Sequence, residues 1–143
     1  ANKFPSAAYE LDEAGKCLAL GRSTAAVFHL MRTMEIAIRA VARCLSVPDP
    51  VKPAERNWGA ILRQIEKAVE DRTKEGPWMG SDKDFFDESR ASLDAVRNAW
   101  RNPTMHVDKK YTEEEAELIL NAVGGFMRKI ASRLDEAGDP LVY

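Results

Sequence analysis

An apolar series at helical spacing runs through residues 27–45 and limits the chain to few folds. Its members recur at intervals of four and three positions: Val27, Met31, Met34, Ile38, Val41 and Leu45. Because an α-helix has 3.6 residues per turn, this spacing puts all six side chains on one face. The series predicts a helix from about Ser23 to Leu45 that packs against other helices. No segment of the sequence shows the strict alternation of a half-buried strand.

Four further helices are predicted from periodicity and from residues that begin or end helices. They are expected from about Phe4 to Leu20, from Asn57 to about Asp71, from Ser81 to just before Pro103, and from Thr112 to about Glu136. Thr112 and Glu115 have the spacing of a capping box, and Pro103 disfavours helical angles in the residue before it. The predicted fold is all-α: an antiparallel four-helix-type bundle with one extra short helix, in a single domain.

The last two helices carry most of the remaining predicted core. The residues expected to face inward are Phe86, Leu93, Val96, Trp100, Ile119, Val123, Phe126, Ile130 and Leu134. Gly124 and Gly125 interrupt the last helix and should each weaken it by about 1 kcal/mol relative to alanine. Such a pair predicts either close helix packing or a bend.

Charge and composition exclude several classes of protein. The 143 residues include 21 Lys and Arg against 23 Asp and Glu, a formal net charge of -2, and 45% are hydrophobic. This balance excludes disorder, and it argues against tight nonspecific binding to long nucleic acid, which needs many phosphate contacts. Charged side chains interrupt every apolar run before the ~18 residues of a membrane span, so we expect a soluble cytoplasmic protein with no membrane partner. The chain begins at Ala1 rather than Met, so we expect that it is either processed or cut from a longer protein.

Most enzyme classes are not supported by any motif. The sequence has no Gly-rich phosphate loop, no GxSxG or HExxH segment, and no cluster of His, Cys and carboxylates at metal-binding spacing. Cys17 and Cys44 lie far apart without a CxxC partner, which predicts buried free thiols. We therefore expect neither a metal ion nor a cofactor.

Basic residues on the second helix form a stripe, here called the basic stripe. Its members are His29, Arg32, Arg39 and Arg43. At 100° per residue they fall within about 80° of one another, nearly opposite the apolar series. One interpretation is a solvated helix face with local pairing to Glu35. The other is a surface that binds phosphate groups beside an active centre.

The end of the fourth helix carries a second pair of candidate residues. Arg101 and His106 are separated by four residues, and Arg97 lies one turn before Arg101. A cation is favoured in the last turn of a helix, and Pro103 would reverse the chain and bring His106 back towards Arg101. The alternative is structural: Arg101 would pair with a carboxylate such as Asp94, and His106 would bind a loop carbonyl.

This segment resembles the motif of the HEPN (higher eukaryote and prokaryote nucleotide-binding) domains, an arginine and a histidine separated by four to six residues. Arg101, Asn102 and His106 match it as Arg-Asn-x-x-x-His. The likeness extends to bacterial HEPN-like proteins through further segments: Phe28 to Arg39, Asn57-Trp58-Gly59, and Tyr111 to Glu115. It therefore covers nearly the whole chain.

The resemblance implies metal-independent RNA cleavage in a homodimer whose two motifs face each other. Histidine titrates near neutral pH, so His106 would move a proton during attack of a ribose 2′-hydroxyl. Arg101 would hold the phosphate, Asn102 would orient the histidine or the phosphate, and Arg97 would add a second cation. His29 and Arg32, with Arg39 and Arg43, would bind RNA.

Two readings of the function follow from the resemblance. One is an endoribonuclease that acts as a toxin or defence effector, with an antitoxin or regulatory protein as a partner. The other is a noncatalytic HEPN module for dimerisation and for binding nucleotide, RNA or protein. Asp108 occupies the place of a tyrosine that some HEPN toxins carry as a nucleotide acceptor, so that form of regulation is in doubt.

Overall fold

The described residues form five α-helices. The computed structural model describes residues 3–47, 58–78, 80, 82–101 and 110–140, without the side chains at 58–60, 94 and 97–101. The helices are α1 (Pro5–Ala19), α2 (Ser23–Cys44), α3 (Trp58–Glu75), α4 (Asp82–Arg101) and α5 (Glu113–Ala131). Across those residues the only β pairing is an isolated bridge between Leu134 and Pro140. The predicted all-α class is confirmed.

Helix α2 is the central element of the bundle. It packs most extensively on α1 and also contacts α5 and α3, while α4 packs on α5. From the apolar series, Val27, Met34, Ile38 and Val41 are buried, whereas Met31 and Leu45 are half-buried at its edge. No described helix is both long enough and apolar enough to cross a membrane.

Contacts between helix ends show how the helices run. The first residue of α4, Asp82, pairs with Arg133 just beyond the end of α5, so these two helices are antiparallel. Glu136, also beyond α5, binds Ser6 at the start of α1. At the other end of the bundle, the Tyr111 backbone N–H, two residues before α5, donates to Thr24 Oγ1 at the start of α2 over 3.0 Å. The end of α4 and the start of α5 therefore lie at the α2 N-terminal end.

Two helix ends differ from the prediction. Helix α3 continues to Glu75 instead of ending near Asp71, and α5 ends at Ala131 instead of about Glu136. After α5 the chain makes a compact turn, in which the Asp135 backbone N–H donates to the Asp139 carbonyl over 3.0 Å. The apolar spacing extends to the buried Leu134 because that side chain still reaches the core after the helix has ended.

Gly138 explains why this turn lies so close to the bundle. Its φ is +87°, in the left-handed region that favours glycine. A Cβ built there would lie 2.6 Å from the Ala40 carbonyl oxygen and 2.8 Å from Arg43 Cβ. The backbone therefore contacts α2 directly, at a distance that only glycine permits.

Most of the predicted core is buried, with differences in α4 and at two glycines. All five predicted inward residues of the last segment are buried, as are Leu93 and Val96, but in α4 Phe85 is buried and Phe86 only half-buried. Cβ atoms at Gly124 and Gly125 would meet nothing closer than the Arg128 guanidinium on the same helix, so contacts among the described residues do not support close helix packing, the first of the two alternatives. The Trp100 side chain lies outside the described residues.

Candidate functional site

The predicted catalytic residues lie at the edge of the described chain. Helix α4 ends at Arg101 and includes the backbone of Arg97. The side chains of both arginines, and Asn102 and His106 entirely, lie outside the described residues, as does the alternative pairing of Arg101 with Asp94. The structure therefore neither brings the arginine and the histidine together nor separates them.

Hydrogen bonds fix the chain at Tyr111, five residues after His106. Beyond the hydrogen bond from the Tyr111 N–H to Thr24, Thr112 and Glu115 form the predicted capping box of α5, with the two reciprocal bonds at 3.0 and 3.1 Å. The Tyr111 phenol is half-buried, and burial, together with the Glu115 carboxylate, raises its pKa above the ordinary value. The segment after the motif is thus anchored to the start of α2 and to α5.

A buried carboxylate organises the first half of the basic stripe. Glu10 on α1 is only 4% exposed. Its Oε2 lies 2.6 Å from His29 Nδ1, and its Oε1 lies 2.9 Å from Arg32 Nε. Burying an unpaired carboxylate would cost several kcal/mol, so two donors at these distances account for its presence inside the α1–α2 contact.

Small buried residues flank Glu10 on α1 and recur along α2. Glu10 lies between Ala7 and Ala14 on the buried face of α1, and α2 presents buried Ala26, Ala37 and Ala40 in its own buried surface. Sequence reasoning missed Glu10. The available signal was an acid at the helical spacing of two buried alanines, on the only face of α1 that a neighbouring helix could cover.

The contacts with Glu10 determine which nitrogens of His29 and Arg32 face outward. An ionised carboxylate only accepts hydrogen bonds, so His29 Nδ1 donates to it, and Nε2 donates to another partner only when the ring carries both protons. Arg32 uses Nε for Glu10, and its side chain is 68% exposed, so both terminal nitrogens remain available. In the described parts of the chain, neither side chain has another partner. The pair presents an oriented imidazole beside an oriented guanidinium.

The second half of the basic stripe is held differently. Arg39 Nε is buried and makes no hydrogen bond with any described residue. Arg43 Nη1 donates to the Glu136 carbonyl oxygen over 3.3 Å, at the turn that follows α5. The basic stripe is therefore not a uniformly solvated face: each of its four members is bound or partly buried, and none of the contacts found among these described residues is with Glu35.

A groove, here called the α1–α2 groove, runs beside Arg32. Its walls are formed by Ser6, Tyr9, Glu10, Arg32, Glu35 and Ile36. The Tyr9 side chain is 62% exposed and has no hydrogen-bond partner among the described residues. The groove thus combines an exposed aromatic ring with an oriented guanidinium.

Two other cavities lie elsewhere in the described part of the chain. An apolar cavity of about 40 Å³ lies among α2, α3, α4 and α5, lined by residues such as Ile38, Leu62 and Phe126. An open concavity includes Cys44, whose pKa is raised by burial and further by the Asp82 and Asp139 carboxylates. Cys17 and Cys44 are free thiols, as predicted, but they are half-buried instead of buried. Over the part of the chain that the structure describes, no three His, Cys, Asp or Glu side chains are grouped to hold a metal ion.

Comparisons of the chain with protein-family models, with curated proteins and with solved structures found no match. The functional inference therefore depends on the residues of this chain and on their geometry.

Proposed function

We propose that this chain is a metal-independent endoribonuclease of HEPN type, with Arg101, Asn102 and His106 as its catalytic residues. The observation that supports the proposal most directly is that α4 ends at Arg101 and that the chain is anchored again at Tyr111, at the same end of the bundle. A motif divided between a helix end and a short anchored connection can bring its two parts together. Arg97, one turn earlier on α4, supplies a second cation.

The proposed reaction needs only groups that the motif contains. The ribose 2′-oxygen bonds to phosphorus as its proton leaves, and the bond from phosphorus to the 5′-oxygen breaks as that oxygen gains a proton. His106 takes the first proton or gives the second, an effect worth roughly 10²- to 10⁴-fold in rate. Arg101 binds the phosphate and stabilises its growing charge, and Asn102 orients the histidine or the phosphate. The products are a 2′,3′-cyclic phosphate and a 5′-hydroxyl.

The basic stripe provides the RNA-binding part of the proposal. Arg32 presents its two terminal nitrogens outward from the Glu10 contact, the His29 ring lies beside it, and Arg39 and Arg43 extend the stripe along α2. Arginine pairs well with phosphate oxygens because its planar fork can make two parallel hydrogen bonds. The proposal includes a homodimer of the 16.0 kDa chain and a role as a toxin or defence effector held by an antitoxin or regulatory protein.

RNA cleavage in the presence of a chelator tests the proposal. Structured and single-stranded RNA are incubated in EDTA with wild type, Arg101→Ala and His106→Ala. The matched control is Arg90→Ala, which removes an exposed arginine of α4 whose partner Glu66 lies 3.5 Å away on α3. We expect cleavage by wild type and the control, and a loss of at least about 100-fold in both motif variants.

Equal inactivity of all four proteins would reject catalysis. If those inactive proteins still bound RNA or nucleotide, the noncatalytic module would be the better interpretation, and the oriented Arg32 and His29 side chains would be its binding groups. Light scattering under the assay conditions gives the mass: a protein that cleaves RNA as a strict monomer would contradict the paired-motif part of the proposal.

A further inference from the structure

The α1–α2 groove brings together an aromatic ring and a preoriented cation from different helices. Tyr9 and Ser6 come from α1, and Arg32, Glu35 and Ile36 come from α2. The phenol ring of Tyr9 is more than half exposed although it lies beside the buried Glu10. Tyr9 therefore places an aromatic side chain that is largely open to solvent in the groove wall.

The orientation of Arg32 makes the groove suited to a phosphate group. Its Nε is held 2.9 Å from the buried Glu10 Oε1, which fixes the plane of the guanidinium and leaves the two terminal nitrogens as a fork. The His29 ring, held by the other oxygen of the same carboxylate, lies beside this fork. Less side-chain freedom is lost on binding when donors are already fixed.

We propose that the α1–α2 groove binds one nucleoside monophosphate unit, with the phosphate on Arg32 and the base stacked on Tyr9. Aromatic stacking combined with a cation that binds the backbone is how proteins hold single-stranded nucleic acid. That the unit belongs to a single-stranded RNA chain rests on the proposed function. The site itself requires only a phosphate and a flat aromatic base, which a free nucleotide also has.

The charges around the groove allow a test of whether the ligand is an anion or a cation. The Glu10 carboxylate already pairs with His29 and Arg32. Glu35 is an exposed carboxylate in the groove wall without a partner among the described residues. If the ligand is an anion, Glu35 repels it and its removal strengthens binding. If the groove accepts a cation instead, Glu35 attracts it and its removal weakens binding.

Fluorescence anisotropy measures the proposed binding. A labelled single-stranded RNA of eight nucleotides is titrated with the His106→Ala protein, which prevents turnover, and AMP is used as the competitor. We expect Tyr9→Ala to weaken binding about tenfold and Tyr9→Phe, which keeps the ring, to change it less than about twofold. Arg32→Ala should weaken it by at least about tenfold, and Glu35→Gln should strengthen it about twofold.

Two controls separate binding from folding. Leu118→Ala removes an exposed apolar residue of α5, 61% exposed, and should leave the affinity unchanged. Arg32→Ala removes one partner of Glu10, so thermal unfolding accompanies every titration, and Tyr9→Ala, at an exposed position, provides the test that folding does not affect.

Each outcome has a defined meaning. Unchanged affinity in Tyr9→Ala, or weaker binding in Glu35→Gln, overturns the nucleotide site even if wild type cleaves RNA. If AMP displaces the RNA at concentrations similar to those at which the RNA itself binds, the groove is a site for free nucleotide. If the RNA binds tightly and AMP displaces it only weakly, the ligand is a segment of an RNA chain. Loss of binding in Tyr9→Ala and Arg32→Ala by a protein that never cleaves RNA supports the site and rejects the nuclease.

Discussion

Glu10 is the residue whose charge the fold must accommodate. It lies in the α1–α2 contact at 4% exposure, and its carboxylate has two donors on α2, His29 and Arg32. A carboxylate in this position would be costly alone, and its pairing gives the two donors one orientation. The same contact therefore serves both the helix pair and the candidate binding surface.

A double-mutant cycle measures this contact. Glu10→Gln should lower the free energy of unfolding by about 1–3 kcal/mol, because an amide replaces a charged acceptor at a buried position. Combined with Arg32→Ala, the cycle should give a coupling energy of about 1 kcal/mol in urea unfolding. The control Asp12→Asn, at an exposed carboxylate of α1, should change stability by less than about 0.5 kcal/mol. Strictly additive effects would show that the Glu10–Arg32 pair is not formed in solution.

Two glycines should respond to alanine in opposite ways. Gly138→Ala should destabilise the protein by about 2–4 kcal/mol, since it adds a Cβ at a positive φ and against the α2 backbone. Gly125→Ala should stabilise it by up to about 1 kcal/mol, because the site is helical and its new Cβ meets only the Arg128 guanidinium, at 3.9 Å. Thermal or urea unfolding of both variants checks the pair. Stabilisation by Gly138→Ala would mean that the turn does not contact α2.

The Cys44 thiol should make stability depend on pH in the alkaline range. Burial, with the Asp82 and Asp139 carboxylates, holds its pKa above the ordinary value, so the native state keeps a proton that the unfolded chain releases. The associated stability is present below the ordinary thiol pKa of about 8.5 and is lost as pH rises through the folded-state pKa.

Alkylation reads this shift directly, because the thiolate is the reacting form. In the Cys17→Ala background, where Cys44 is the remaining cysteine, the rate with iodoacetamide should reach half its maximum at a higher pH in the native protein than in urea. A midpoint at or below that of the unfolded chain would contradict the burial of this group.

At the scale of the helices, the start of α1 depends on the far end of the chain. Phe4 precedes the helix and offers no side-chain cap. Instead the Glu136 carboxylate accepts from the Ser6 backbone N–H and from Ser6 Oγ, both at 2.9 Å. The Glu136 backbone N–H in turn donates to the Lys3 carbonyl over 2.9 Å. An acid at a helix N-terminus is favoured both by these bonds and by the helix dipole.

Removing this carboxylate should loosen α1. We expect Glu136→Ala to cost about 1–2 kcal/mol in urea unfolding and to speed amide hydrogen exchange at the start of α1. Glu136→Gln, which keeps one acceptor oxygen, should cost less. Glu117→Ala, at an exposed acid of α5, is the control with no expected loss. Equal effects of Glu136→Ala and Glu117→Ala would exclude a capping role.

Helix ends show what the sequence could and could not predict. The capping box of Thr112 and Glu115 is local, so the start of α5 was predicted to within one residue. The end of α5 was not, because the turn after Ala131 is fixed by contacts with α1 and α2 that lie far away in the sequence. A local pattern determines where α5 begins, and packing determines where it ends.

At the scale of the whole molecule, the hydrophobic periodicity predicted the all-α class, but it did not predict which residues pair with the basic stripe. Spacing placed His29 and Arg32 on one face of α2, and it contained no information on which helix would cover the edge of that face. Glu10 is 19 residues from His29 along the chain, so their contact arises only once α1 packs on α2. The catalytic motif, in contrast, was predicted from residues adjacent in sequence, and most of it lies outside the described residues.

A DNA oligonucleotide containing a single ribonucleotide, incubated with the protein in EDTA, tests the proposed cleavage most directly. Wild type should cut only at the ribonucleotide and leave a 2′,3′-cyclic phosphate, identified by mass spectrometry, and His106→Ala should leave the oligonucleotide intact. An intact oligonucleotide with wild type, when the same protein also leaves all-RNA substrates uncut, or an equal cleavage rate with His106→Ala, would contradict the assignment of Arg101 and His106 as an RNA-cleaving pair.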